Sequence, residues 1–167
     1  GISINYDNMT GASVAVAFRI GVGETFAIQP EISFLQKGGS LTIFDETSSN
    51  RINYLEIPIL AVYSVVNKDN LGIGLFAGPS IGFGLNGSFE DGSTSVDLDW
   101  DTDGIKRSDL SLAFGADVQF GVGSGKVVLD ARYLYGLSNI ADDNDIELTN
   151  SGIGISVGYV IPLGGGE

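Results

Sequence analysis

Histidine and cysteine are both absent from this chain of 167 residues. Without histidine the commonest general base and metal ligand is missing, which excludes catalysis by a histidine of this chain. Without cysteine there are no disulfides, no thiolate metal sites and no lipidated N-terminal cysteine. Proline is scarce, at 4 residues against 25 glycines, so the glycine excess does not mark a disordered linker. Cations are few as well: 8 Lys and Arg face 21 Asp and Glu, and the formal charge of −13 argues against nucleic acid or an anionic lipid surface as a partner. Hydrophobic residues make up 43%, yet no run of about 18 of them occurs, so a transmembrane helix is excluded. The length suits one domain over residues 1–167, enough for a single barrel but not for a second core.

What is present has a period of two. Over 25–35, Phe26, Ile28, Pro30, Ile32 and Phe34 alternate with Ala27, Gln29, Glu31 and Ser33. Over 110–120, Leu110, Leu112, Phe114, Ala116, Val118 and Phe120 alternate with Ser111, Ala113, Gly115, Asp117 and Gln119. Similar alternation runs through 127–137 and 153–161, and through 71–85, where the even positions are mostly glycine.

The connections between these runs alternate too. Gly21-Val-Gly-Glu24, Asn67-Lys-Asp-Asn70 and Gly121-Val-Gly-Ser-Gly125 are tight, whereas 38–50, 86–108 and 138–147 are long. Strict alternation of short and long connections matches an up-and-down barrel with short periplasmic turns and long extracellular loops. With a stub strand at 1–6 and a loop at 7–11, the chain is expected to form an all-β, eight-stranded antiparallel up-and-down transmembrane barrel. The even number places both termini at the short-turn, periplasmic end. No export signal stands at Gly1, so a processed or cropped form with a short first strand is expected.

Aromatics give a second test. Phe26, Tyr63, Phe120 and Tyr159 fall near the short-turn end of the apolar face, and Phe34, Phe83 and Tyr135 near the long-loop end, like interfacial girdles. A soluble barrel would have to fit this larger apolar set inside and expose the glycine-rich face, which is harder.

Four segments, Gln29-Pro-Glu-Ile-Ser-Phe-Leu-Gln-Lys-Gly38, Tyr54-Leu-Glu-Ile-Pro-Ile-Leu60, Gly74-Leu-Phe-Ala-Gly-Pro79 and Ala131-Arg-Tyr-Leu-Tyr-Gly-Leu-Ser138, carry a family resemblance in their order. The chain resembles the outer-membrane β-barrel domain family of Bacteroidota, the PorT-like group with OmpX-like topology. The resemblance implies a bacterial outer-membrane location and outer-membrane lipid as surroundings, and supplies no catalytic residues. The chain departs from the family in its short first strand and in lacking a terminal aromatic.

Three constellations are candidates for chemistry. By alternation Arg19, Glu31, Glu56, Asp117, Asp130 and Arg132 point into the lumen, with Lys37 near the rim. Charges there must pair, because burial of an unpaired ion costs several kcal/mol. Arg132 and Arg19 are each expected to bridge carboxylates, forming a structural plug; a proton or ion path is the alternative. Second, Asp99, Asp101, Asp103 and Gly104 match the opening of a calcium loop within 97–109. Leu110 stands where the bidentate glutamate belongs, and Asp109 is one position early, so the choice lies between a calcium site and a solvated acidic loop. Third, Asp142, Asp143, Asp145 and Glu147 crowd the last long loop, where they either hydrate the loop or bind divalent ions or a basic partner.

Two glycine-rich stretches are discarded. Gly121-Val-Gly-Ser-Gly-Lys126 has Phe120 in place of the first phosphate-loop glycine and Val127 in place of Ser or Thr. Gly72-Ile-Gly-Leu-Phe-Ala-Gly78 has the wrong spacing for a dinucleotide. Pro30 and Pro58 lie inside expected strands, where a bulge or local break is anticipated.

The function expected from these residues is that of a non-enzymatic outer-membrane barrel with a structural or interaction role, an accessory subunit beside other envelope proteins. A small passive channel or ligand carrier is the second expectation. No cofactor is expected beyond the candidate calcium.

Overall fold

The computed structural model describes residues 4–8, 11–43, 46–68, 70–91, 94–100, 106–140, 149 and 151–163. The described residues are all-β, with β1 (Ile4–Asn8), β2 (Gly11–Gly21), β3 (Phe26–Ile43), β4 (Glu46–Asn67), β5 (Leu71–Asp91), β6 (Thr94–Asp97), β7 (Ser108–Val122), β8 (Gly125–Gly136) and β9 (Gly152–Pro162). They form one sheet whose main path holds eight mostly antiparallel strands, β1-β3-β2-β9-β8-β7-β5-β4, and β6 hangs on β5. Pairing of β3 with β4 closes the path from β3 to β4 into a ring, with β1 paired to the far end of β3.

Each tight connection falls where expected, and two need glycine. Gly23 (φ 104) and Gly123 (φ 63) occupy the left-handed region, which other residues enter only at a steric cost. The long connections differ from expectation. Much of 38–50 is a hairpin extension, with β3 and β4 paired up to Ile43↔Glu46. Likewise β5 continues to Asp91 and turns back into β6. Gly, Ser and Thr in these segments read as loop residues by local preference, but a long neighbouring strand supplies the ladder partners.

The N-terminal stub also sits differently. β1 pairs with β3 from Ile4↔Ile43 to Asn8↔Gly39, and β2 takes over the same edge from Ser13↔Leu35. β1 thus continues the line of β2 and is not a separate crossing beside it. The up-and-down path then crosses the ring an odd number of times, so one seam must be parallel. That seam is β2–β9, from Gly11↔Gly154 to Arg19↔Pro162. As a result Ile4 lies at the long-loop end, beside Ile43, while Pro162 lies at the short-turn end. This corrects, for the described residues, the expectation that both chain ends share the short-turn end.

The anticipated breaks at proline are found as lapses in pairing without a register shift. Around Pro30 the β2–β3 ladder skips from Ala17↔Glu31 to Ile20↔Ile28, and around Pro58 the β4–β5 ladder skips from Pro58↔Ser80 to Ala61↔Ala77. Proline has no N–H to donate, so the ladder loses its bond there. The true register shifts lie elsewhere, at Asn53/Tyr54 and Ser64/Val66.

Side-chain burial is inside-out relative to a water-soluble protein. Ile153, Ile155, Val14 and Leu75 are each more than half exposed, whereas Glu31, Glu56, Asp117 and Arg132 are buried. In water such a surface would forfeit the hydrophobic gain of folding; against lipid tails it is the favourable arrangement. Phe26 and Tyr63 are exposed on this surface with ring centroids 5.1 Å apart, at the short-turn end where a girdle is expected.

Candidate functional site

The lumen holds two ionic clusters. In the first, Arg132 of β8 grips Asp130 with two parallel bonds, Nε to Oδ1 and Nη2 to Oδ2, both 2.7 Å. These residues are two apart on one strand, so they share the inner face. Arg132 Nη1 donates to Glu31 Oε2 across the barrel at 3.0 Å, and the guanidinium lies over the Phe76 ring at 5.3 Å. The network then descends towards the short turns. Gln29 Nε2 donates to Glu31 Oε1, and Arg19 Nε donates to Gln29 Oε1, both at 2.6 Å. Arg19 Nη2 stands 3.6 Å from Asp117 Oδ2, and Gln119 Nε2 donates to Asp117 Oδ1 at 2.6 Å.

The second cluster sits higher. Lys37 Nζ lies 2.5 Å from Glu56 Oε1 and 2.8 Å from Asp109 Oδ2, and 5.0 Å from the Tyr54 ring centroid. Ser80 Oγ donates to Glu56 Oε2, and Ser138 Oγ donates to Asp109 Oδ1, each at 3.2 Å. Glycine makes room for these groups. A Cβ on Gly74 would stand 3.0 Å from both Asp117 carboxylate oxygens, and one on Gly72 would stand 3.0 Å from Gln119 Oε1.

All six lumenal residues expected from alternation are therefore turned inward and brought into the two clusters. Arg132 bridges two carboxylates as expected, whereas Arg19 binds one carboxylate and one amide. The parts missed are Lys37 as a full member, Asp109, and the amides of Gln29 and Gln119. The signal existed: extending the alternation of 110–120 by one position puts Asp109 on the inner face. Asp109 thereby parts from the calcium-loop set, since it is buried and bound to Lys37, while Asp99 is exposed at the rim. Asp101, Asp103, Asp142, Asp143, Asp145 and Glu147 lie outside the described residues. Among the described residues, no group of three or more Asp or Glu is arranged to hold a metal.

The inner wall is not polar throughout. Ala27, Leu35, Leu60, Val62, Phe76, Ala113 and Leu134 form an apolar patch within it. At the long-loop mouth Ile52, Tyr54, Leu98 and Ile140 pack together, with Phe89 and Trp100 against them. Trp100 fits because residue 84 is glycine: a Cβ there would collide with the indole. At the opposite mouth a cavity of about 180 Å³ opens beside Arg19, Gln119 and Lys126. The barrel is thus corked by apolar side chains at one end and shallowly open at the other.

Arrangements of this kind can hold a ring rigid by paired charge. A family model described as outer membrane protein beta-barrel domain matches residues 3–142. No curated protein and no solved structure matches the chain.

Proposed function

The chain belongs to the outer membrane protein beta-barrel domain family, and from that premise we propose that it is a non-enzymatic integral outer-membrane barrel with a structural or interaction role. In this reading it serves as an accessory subunit of a larger envelope complex, with its short turns periplasmic and its long acidic loops extracellular. It sits in outer-membrane lipid and contacts other envelope proteins through its loops. The ordered segments quoted above favour the PorT-like group of Bacteroidota.

The observation that carries this reading is the filled lumen: two paired clusters of charge beneath an apolar cork. An interior of this width is filled by its own side chains. Chemistry or recognition is then displaced to the rim and the outer wall, where loops on a rigid scaffold commonly carry function. Single-channel recording of the barrel reconstituted in planar bilayers tests it. No steady conductance is expected, and reproducible open steps would overturn the closed-lumen reading. Co-purification from detergent-solubilised native membranes tests the accessory role; a clean monomer with no reproducible partner would count against it.

One observation favours the second reading, a small passive channel or ligand carrier: the cavity of about 180 Å³ at the short-turn mouth. For that reading to hold, the cork would have to move.

A further inference from the structure

β5 changes its neighbour near the long-loop end. It pairs with β7 as far as Phe83↔Ser108 and with β6 from Ser88↔Asp97. Residues 84–87 between these points form the crotch of a fork, and the register shift at Asn53/Tyr54 widens the β4 side of it. A cavity of about 510 Å³ occupies this fork, within the range of small-molecule sites, roughly 300–1,000 Å³.

The side chains around it are unlike the rest of the surface. Gln36 Nε2 donates to Asn53 Oδ1 at 3.1 Å, and Asn53 Nδ2 donates to Asn86 Oδ1 at 2.6 Å. This row of amides crosses three strands just above the last outward apolar residues, Phe34, Leu55 and Leu85, so it marks the upper border of the apolar band. Each amide carries both donors and acceptors, which is the pattern that vicinal hydroxyls match. Two arginines line the same cavity. The Arg107 guanidinium lies over the Trp100 ring, 5.3 Å from its centroid. Arg51 engages Glu90 through Nη1 at 3.4 Å only, and its Nε is buried without a hydrogen-bond partner. A buried unpaired donor costs free energy that a bound acceptor would recover.

We propose that this fork is a binding site for an acidic sugar, with Arg51 and Arg107 taking its carboxylate and the Gln36–Asn53–Asn86 row taking its hydroxyls. Asp97 also lines the cavity and Glu90 engages Arg51, which disfavours polyanions and selects a ligand of single negative charge. The sugar comes either free from solution or as the headgroup of a glycolipid in the outer leaflet, since the site borders the apolar band. The site is independent of whether the lumen conducts.

Trp100 is the only tryptophan of the chain and lines the cavity, so its emission reports occupancy. The barrel in nanodiscs is titrated with sodium glucuronate, glucose and inorganic phosphate, and separately assembled in nanodiscs with and without glucuronosyl diacylglycerol. The expected result is a saturable emission change with glucuronate or with the glycolipid, at least tenfold weaker for glucose and for phosphate. A response to free glucuronate assigns the soluble source, and a response to the glycolipid alone assigns the headgroup. R51Q is expected to weaken the response at least tenfold while the far-UV circular dichroism is retained; K68Q, in a short turn at the opposite end, is expected to leave it unchanged. N86A supplies a second test should R51Q fail to fold. No saturable response to either probe, equal responses to glucose or phosphate, or a response indifferent to both R51Q and N86A would overturn the proposal.

Discussion

Arg132 and Lys37 each hold two carboxylates inside the same lumen, but in different surroundings. Arg132 sits at mid-barrel, 3% exposed, with a two-point grip on Asp130 and a third contact across to Glu31. Lys37 sits below the rim, 10% exposed, a single ammonium between Glu56 and Asp109 with the Tyr54 ring and the apolar cork above it. Guanidinium suits the deeper place because its planar fork satisfies carboxylates at fixed geometry and is weakly hydrated. Ammonium suits the shallower one, where a flexible stem reaches two partners on different strands. The comparison teaches that the mid-barrel cluster sets the integrity of the ring, while the upper cluster supports the mouth.

Arg132→Met tests this most severely. It leaves Asp130 and Glu31 buried and unpaired, and a loss of about 3–5 kcal/mol is expected in urea unfolding from lipid. Next comes the outer wall. Ile155→Arg places a charge against the hydrocarbon, with an expected loss of about 2–4 kcal/mol that shrinks if the same change is made nearer an interface. Lys37→Met is expected to cost about 2 kcal/mol, since the Ser80 and Ser138 hydroxyls still donate to the two carboxylates left behind. A cost equal to that of Arg132→Met would break the distinction between the two clusters. The smallest effect belongs to Arg51→Gln, whose ion pair with Glu90 is about two-fifths exposed on both sides: under about 1 kcal/mol by the same unfolding assay.

The wall was legible in the sequence and the seam was not. Alternation from Leu110 to Phe120 placed each of those side chains correctly, because a period of two leaves no freedom once one face is assigned. Arg19, Glu31, Glu56, Asp117, Asp130 and Arg132 followed from the same rule. The Lys37–Asp109 pair joins residues 72 apart, one read as a rim residue and the other as part of an acidic loop. No local pattern links them. The placement of β1 depends on β3 running on to Ile43, through Gly38, Gly39 and Ser40, whose own preferences point to a loop. The parallel β2–β9 seam follows from that placement, so it could not be read before the length of β3 was known. The apolar cork likewise gathers Ile52 from β4 with Leu98 and Ile140 from two separate connections.

The account stands on which face of the strands meets lipid. Because the chain has no cysteine, single cysteines at successive positions of β7 can be labelled with a fluorophore and exposed to a quencher dissolved in the lipid tails. Quenching is expected at 112, 114, 116 and 118 and not at 111, 113, 117 and 119. The opposite phase, with the odd positions quenched, or no alternation at all, would contradict a barrel that is apolar outside and charged within.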